Sequence, residues 1–391
     1  MSGNDARWRM LALIFVVRTG LGFQFQTMGS VGEALTSPLG LSYAELGTLI
    51  GIFFLPGLVL AIPAGYAGRH VSDKALVALG LAALAIGGAL CAIAHGFGLM
   101  ALGRALCGAG FVISTIFMTK MVADWFVGRE IATAMAVLVM SWPFGIAMGQ
   151  VSHAWMASAV GWQWAFATAS LYCLAGAAVV LSAYRPPPAA VATATVGPIS
   201  SALTRREWIL ILIAALVWGC FNAAYIIYLS FAARVLVQGG LGTLEAAATV
   251  SLASWVMIVS GAICGQIADR TGRSDAVLYF CLIVAMAALA LLPHTKFAVP
   301  LTLAFGLLGM APAGLIMALT GQAVAPERRA FGIGVFLAVF FVFTAPTPTI
   351  AGWLYDRTGD PFWPILFAIA LFALTLVCNL AFRLAQRVSR I

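Results

Sequence analysis

Two arginines, Arg18 and Arg104, lie within long apolar segments of the sequence. At bilayer depth an arginine costs about 2.5–3.5 kcal/mol, so such a residue is a candidate for function. A guanidinium group binds carboxylates and related anions through paired hydrogen bonds. No Asp or Glu occupies a comparable depth in the apolar segments, so the sequence offers neither arginine an obvious carboxylate partner. We therefore expect both arginines to bind an anionic solute.

The depths of the two arginines are compatible with one shared anion. Arg18 follows Met10 by eight residues, which places it about 12 Å from the inner face at the rise of an α-helix. Arg104 follows Phe97 by seven residues and lies about 10 Å from the outer face. In a core about 30 Å thick, the depths differ by only about 8 Å. Two alternatives stay open: Arg104 bonds backbone carbonyls as a structural residue, or Arg18 extends its head to the interface.

Neutral polar residues complete the candidate substrate site. Gln24 and Gln26 make the first apolar segment unusually polar, and further donors and an aromatic wall come from the second half, in Asn222, Tyr225 and Trp255. Packing between helices is the alternative role for each of them. The sequence shows no spacing typical of a metal site and no nucleophile beside a base, so it predicts no metal, no cofactor and no enzymatic activity.

Prolines and a histidine mark further features of the apolar segments. Pro143, Pro346 and Pro348 predict breaks or kinks near the site. His153 falls near the outer end of its segment, where an interfacial role is expected.

The composition of the 391 residues requires a membrane. Hydrophobic residues make up 63% and charged residues 9% of the chain, and the mean hydropathy is +1.04. Soluble domains contain roughly 25% charged residues, so soluble enzymes and nucleic-acid-binding proteins are excluded. Since about 20 apolar residues cross one bilayer, the chain has room for about twelve crossings.

Apolar runs between charged or turn-rich breaks predict twelve helices. Their approximate ranges are 10–32, 43–68, 74–94, 97–122, 130–159, 161–184, 207–233, 244–268, 275–292, 297–323, 330–355 and 361–384. Backbone groups in hydrocarbon must be satisfied within their own segment, and the runs lack the alternation of a membrane barrel. The predicted fold is therefore an all-α membrane protein.

The distribution of Lys and Arg predicts the orientation. With a cytoplasmic N-terminus, 16 of the 21 cationic residues fall in inside segments and 3 in outside segments, and the other two are Arg18 and Arg104. Cytoplasmic loops carry an excess of Lys and Arg. We expect a multi-pass protein of the inner (plasma) membrane with both termini in the cytoplasm.

The chain divides into two similar halves. Residues 185–206, which begin with three prolines after Arg185, form a predicted cytoplasmic linker between an N-terminal six-helix bundle, 1–184, and a C-terminal one, 207–391. The loop at 65–74 has a counterpart at 265–274, an offset of 200 residues. The two bundles are therefore expected to be pseudo-symmetric, an arrangement that recurs in transporters.

Three motifs resemble those of the major facilitator superfamily, and the resemblance extends over the whole chain. The loop after the eighth helix matches G-x-x-x-D-R-x-G-R, and the fourth helix matches R-x-x-x-G-x-G. Residues 161–164 resemble the turn into the family's sixth helix. The matching residues are Gly265, Asp269, Arg270, Gly272 and Arg273 in the loop, and Arg104, Gly108 and Gly110 in the helix.

The resemblance implies a transporter whose single chain is sufficient for function and whose charged loop latches one access state. The loop glycines Gly265 and Gly272 are expected to permit close helix approach and a tight turn. The first copy of the loop departs from the pattern at Arg69, His70 and Asp73, so no latch is expected there.

Residues 18–20 and 28–32 look like the first helix of the cyanate permease branch of the superfamily, which carries an arginine. This narrower resemblance implies a small anion as substrate.

Together these features predict a secondary active transporter that moves a small organic or inorganic anion by alternating access, with a coupling proton or a counter-anion. No Walker motif is present to bind ATP. A drug or metabolite efflux antiporter is the main alternative, since residues 141–145 loosely resemble the fifth helix of antiporters. A membrane-embedded enzyme and a non-transporting receptor are less favoured.

Overall fold

The computed structural model describes residues 3–68, 70–126, 130–187, 203–294, 297–325 and 328–388. Most of these residues are helical and none of them lies in a β-strand, as the composition predicts. Twelve spans within them are long and apolar enough to cross a membrane. The all-α fold class is therefore confirmed.

Nine of the twelve spans are single α-helices apart from short terminal turns, and three are interrupted. The α-helices are α1 (Gly3–Leu39), α2 (Tyr43–Ile52), α3 (Leu55–Ala67), α4 (Asp73–Ala92), α5 (Phe97–Trp125), α6 (Ile131–Ala159), α7 (Trp162–Ala183), α8 (Arg205–Gln238), α9 (Thr243–Thr271), α10 (Ser274–Leu291), α11 (Ala298–Ala304), α12 (Ala313–Ala323), α13 (Arg329–Thr344), α14 (Thr347–Thr358) and α15 (Phe362–Val388). A 3-10 turn, Leu292–His294, follows α10.

Local chemistry accounts for the interruptions. Pro56 lies in the first turn of α3 and Pro346 directly precedes α14, at positions where a missing N–H is tolerated. The predicted break at Pro346 is confirmed. Pro143, by contrast, lies inside the continuous helix α6, so the helix has no break there, and a kink at this proline stays a prediction. Neighbouring groups can satisfy the carbonyl that a proline leaves free within a membrane helix.

The third interruption is a π-helical turn, Phe305–Gly309, between α11 and α12. The amide of Met310 donates to the carbonyl of Phe305, five residues earlier, at 2.8 Å. The hydroxyl of Ser260 on α9 donates to the carbonyl of Gly306 at 3.2 Å, which holds the turn against the neighbouring helix. Such turns widen the helix and are frequent at functional sites.

The chain forms two compact units. The first comprises Met1–Leu41 and Ile52–Val196, and the second comprises Ser42–Gly51 and Gly197–Ile391. In the first unit α1 packs on α6, and α4 packs on α5 and α7. In the second unit α8 packs on α13 and α15.

The segment Ser42–Gly51 is compact with the second unit, although it precedes most of the first unit in sequence. The carboxylate of Asp356 accepts hydrogen bonds from the first two backbone N–H groups of α2, at 2.9 and 2.8 Å. A Cβ on Gly47 would lie 2.0 Å from the carbonyl oxygen of Pro348, so the two backbones touch. The domain boundaries 1–184, 185–206 and 207–391 stay a prediction, and residues 188–202 of the linker lie outside the described residues.

Glycines set the distance between α1 and α6. A Cβ on Gly22 would lie 2.3 Å from the carbonyl oxygen of Trp142, and a Cβ on Gly145 would lie 2.1 Å from that of Thr19. Small residues at a crossing let membrane helices approach closely, and dispersion contacts then stabilise the pair. Polar side chains on either side of this crossing are consequently within reach of the opposite helix.

We expect Gly145→Val to force α1 and α6 apart and to lower the free energy of unfolding by about 1–3 kcal/mol, the usual cost of overpacking. The measurement is the midpoint of thermal unfolding of the purified protein in detergent. Gly334→Val is the matched control, because a Cβ at Gly334 on α13 meets no described atom within 4 Å. Equal midpoints for the two variants would contradict the close crossing.

Candidate functional site

Arg18 is buried on α1, with 8% of its surface exposed, and is held by α6. Its Nη1 donates to the carbonyl of Leu138 at 2.8 Å and to Oγ of Ser141 at 2.9 Å. The Ser141 hydroxyl donates in turn to the Leu138 carbonyl at 2.6 Å. In these contacts the guanidinium bonds neutral oxygens, so neither contact supplies a counter-charge.

Arg18 can still donate a further hydrogen bond and pair with a negative charge. Its Nε has no hydrogen-bond partner among the described residues, and no described carboxylate pairs with it. A buried donor without a partner is costly, and a buried charge is costlier still unless it is paired. An anion that bound here would receive both a hydrogen bond and a neutralising charge.

Arg104 on α5 is fully buried in a different environment. Its Nη1 donates to the carbonyl of Gln24 over a long 3.5 Å, and its guanidinium carbon lies 4.8 Å from the ring centroid of Phe53 and 6.0 Å from that of Phe25. Backbone and aromatic contacts match the structural alternative for this residue. Different elements hold Arg104 and Arg18, and a shared anion stays a prediction.

The glycines that follow Arg104 serve close packing within the first unit. A Cβ on Gly108 would lie 2.2 Å from the carbonyl oxygen of Phe53, and a Cβ on Gly110 would lie 2.3 Å from that of Gly80. These two residues of the R-x-x-x-G-x-G motif therefore let α5 approach its neighbours.

Gln24 and Gln26 point to different neighbours of α1. Nε2 of Gln26 donates to Oε1 of Gln150 on α6 and to the hydroxyl of Ser30 at 3.2 Å. Nε2 of Gln24 instead meets Sγ of Cys107 on α5 at 3.4 Å. Side chains that are two positions apart on a helix project at widely different angles, which explains why the two glutamines meet different helices.

Only Gln26 therefore joins the polar interface with α6 that also contains Arg18. Sequence reasoning missed Gln150 and the role of Ser141. Ser141, Gly145, Gly149 and His153 recur at four-residue steps, and this spacing is the signal that places them on one face of α6.

His153 is completely buried, so the predicted interfacial role is wrong. Its ring centroid lies 4.2 Å from that of Phe23, and a Cβ on Gly149 would lie 3.0 Å from the ring and 3.1 Å from Cβ of Gln26. Neither ring nitrogen has a hydrogen-bond partner among the described residues. Because Gly149 has no side chain, the imidazole fits beside α1.

The second-half candidates separate into two groups. The hydroxyl groups of Tyr225 on α8 and Ser254 on α9 lie 2.7 Å apart. Asn222 donates to the carbonyl of Trp218 on its own helix at 2.9 Å, and Trp255 has 37% of its surface exposed. Tyr225 thus takes part in a buried polar contact between helices, and a substrate role for each of these residues stays a prediction.

The charged loop after α9 has one expected feature and lacks another. Gly272 ends the helix with φ of +66°, a left-handed conformation that favours glycine, so the predicted tight turn is confirmed. A Cβ on Gly265 would meet no described atom within 4 Å, because the helix face at this point is open, so the predicted close approach there is wrong.

The loop has three exposed charged residues, Asp269, Arg270 and Arg273. None of them forms an ion pair with another described residue. The latch that the resemblance implies therefore stays a prediction.

In the first copy of the loop, Asp73 forms an ion pair with Lys120 on α5, and Lys120 also pairs with Asp124 at 3.1 Å. In the second unit Asp275 pairs with Arg383 at 2.8 Å. In each unit, an acidic residue beside this loop thus forms an ion pair with a helix of the same unit.

Comparisons with known proteins agree with the twelve-span fold. A sequence profile described as Major Facilitator Superfamily matches residues 10–336. Monocarboxylate transporter 12 of Xenopus laevis is 30% identical over 162 residues, which are 39% of this chain and 34% of that protein. The match thus spans about a third of the relative's length.

Two solved structures share the fold over nearly the full chain. A bacterial homolog of the human lysosomal transporter Spinster, in an inward-facing and occupied conformation, aligns with a TM-score of 0.75 at 18% identity over 97% of both chains. A D323A mutant of the nucleoside transporter NupG aligns with a TM-score of 0.76 at 15% identity over 97% of this chain and 99% of that one. At these identities the likeness concerns the fold alone.

We expect Ser141→Ala to lower the free energy of unfolding by about 1.5–3 kcal/mol, because it removes an oxygen that accepts from a buried guanidinium. Ser152→Ala on the same helix is the control, since the Ser152 hydroxyl bonds only the carbonyl of Met148, one turn earlier. Urea unfolding in detergent compares the two. A loss for Ser141→Ala no larger than for the control would show that the Arg18 contact carries little energy.

Proposed function

The chain belongs to the Major Facilitator Superfamily and is a membrane transporter, and we propose that its substrate is a small anion bound at Arg18. The observation that carries the proposal is the buried guanidinium of Arg18, which bonds only neutral oxygens of α6 and keeps Nε without a partner among the described residues. A buried charge of this kind favours a ligand of opposite charge.

A carboxylate suits this site best. It accepts charge-assisted hydrogen bonds from a guanidinium, and Nε of Arg18 has no partner among the described residues. The name of the Xenopus laevis relative refers to monocarboxylates, which supports the same substrate class. The likeness to cyanate permeases in the first helix supports a small anion, and inorganic anions therefore belong in the same test.

Transport proceeds by alternating access in one chain in the inner membrane, with both termini in the cytoplasm. The excess of Lys and Arg in the predicted inside segments supports this orientation. Because an inside-negative potential opposes anion entry by about 2.3 kcal/mol per charge per 100 mV, uptake requires exchange for another anion or a coupled proton.

His153 is the proposed site of such a proton. It lies on α6 beside Gln26, and its ring nitrogens have no described partner. Two carboxylates, Asp124 and Glu33, are less suitable, because Asp124 pairs with Lys120 and Glu33 is exposed near the end of α1.

We expect a small anion to raise the midpoint of thermal unfolding of the wild type. The Arg18→Gln substitution should lower the affinity for that anion about 10- to 150-fold, which is the equivalent of a charge-assisted hydrogen bond. The panel contains lactate, pyruvate, cyanate, nitrate and cationic drugs. Arg357→Gln, at the exposed end of α14, is the charge-matched control.

Stabilisation by cationic drugs, or by anions equally in wild type and Arg18→Gln, would contradict the proposal. The first of these outcomes would favour drug efflux. Specific binding without exchange of any panel solute across liposomes would favour a receptor.

We expect His153→Gln to abolish the stimulation of anion uptake by an acidic exterior, while exchange of labelled for unlabelled anion persists. The reason is that exchange returns an anion in each direction and needs no net proton movement. Proteoliposomes and the most stabilising anion of the panel serve for both measurements. Glu33→Gln and Asp124→Asn should retain the stimulation, and its loss in either variant, or its persistence in His153→Gln, would exclude His153 as the coupling residue.

A further inference from the structure

An apolar groove lies on the second unit between α9, α10 and the π-helical turn, with a volume of about 470 Å³. Its floor contains Cys264, Cys281 and Ala311, which pack together. Its walls are large apolar side chains with 38–57% of their surface exposed: Ile263, Ile267, Phe280, Leu307 and Leu308. The groove is therefore open along a membrane-spanning face.

The length of the groove corresponds to one leaflet of the bilayer. It extends along α9 from Ser260 to Thr271, and the eleven helical rises between these residues cover about 16 Å. The hydrocarbon core is about 30 Å thick, so half of it is about 15 Å. One acyl chain of a phospholipid thus matches the groove in depth and polarity.

The two ends of the groove differ in charge. Arg273 and Thr271 line one end, and Arg270 is exposed in the same loop. The charge at this end of the groove is positive overall. Asp275 pairs with Arg383, so Asp269 is the one nearby described acidic residue left to balance the two arginines. Neither Arg270 nor Arg273 forms an ion pair among the described residues.

We propose that this groove binds an anionic phospholipid, with one acyl chain between α9 and α10 and the phosphate at Arg273 and Arg270. Charge complementarity selects an anionic headgroup, because basic clusters at the cytoplasmic ends of transmembrane helices attract anionic lipids. The loop faces the cytoplasmic leaflet under the orientation proposed above. The site does not depend on the identity of the transported solute.

A bound chain would also contact the π-helical turn through Leu307 and Leu308. The lipid would stabilise the widened backbone from outside, while Ser260 bonds it from α9. This assigns a lipid-binding role to two arginines of the loop motif that form no ion pair with any residue that the structure describes.

Native mass spectrometry of the full-length protein in detergent tests the proposal. Phosphatidylglycerol and phosphatidylcholine with identical acyl chains are added at equal concentration, and the bound fractions are compared. We expect the wild type to prefer phosphatidylglycerol, and Arg273→Gln and Arg270→Gln each to reduce that preference about fivefold, the effect of one cationic residue near an anionic headgroup.

Arg206→Gln is the matched control, because Arg206 is exposed at the start of α8 and does not line the groove. An equal loss of preference in this variant would show diffuse surface charge and would overturn the proposal. So would equal binding of the two lipids by the wild type.

The acyl-chain contact has its own test. Ala276→Phe fills the groove from an exposed position on α10 and should reduce binding of both lipids without lowering the midpoint of thermal unfolding. Inorganic phosphate serves as the headgroup without a chain. If phosphate displaced bound phosphatidylglycerol completely, or if Ala276→Phe bound both lipids as the wild type does, the groove would not be a lipid site.

Discussion

The close crossing of α1 and α6 determines how the chain tolerates a charge in the membrane. A guanidinium at the depth of Arg18 must find its hydrogen bonds within the protein, because hydrocarbon supplies none. The contacts at Gly22 and Gly145 bring the α6 backbone and Ser141 to the guanidinium. The rest of the polar interface, which includes Gln26 and Gln150, lies along the same pair of helices.

The sequence predicts the spans well because length and apolarity alone define a crossing. It predicts side-chain partners poorly, since Arg18 and Ser141 are 123 residues apart and their contact depends on how two helices are rotated. The turn at Gly272 was predictable from local backbone chemistry. The burial of His153 was not predictable. Its position in the sequence indicates its depth in the membrane, but it does not indicate which face of α6 packs on α1.

The two units share one type of ion pair and differ in their buried arginines. Each has an acidic residue at the start of the fourth or tenth α-helix that pairs with a cation on a neighbouring helix, Asp73 with Lys120 and Asp275 with Arg383. Only the first unit has buried arginines among the described residues. The two units therefore share this ion pair, whereas the buried arginines lie in one of them.

The glycines at the α1–α6 crossing also bear on how the protein can evolve. Any replacement of Gly22 or Gly145 adds at least a methyl group where the opposite carbonyl oxygen lies within 2.3 Å of the new Cβ. Any such substitution therefore changes the spacing of the two helices, because the opposite backbone must move to admit the new side chain. Exchanges at Ser141 or Gln150 alter only side chains of this interface and leave the helix axes in place.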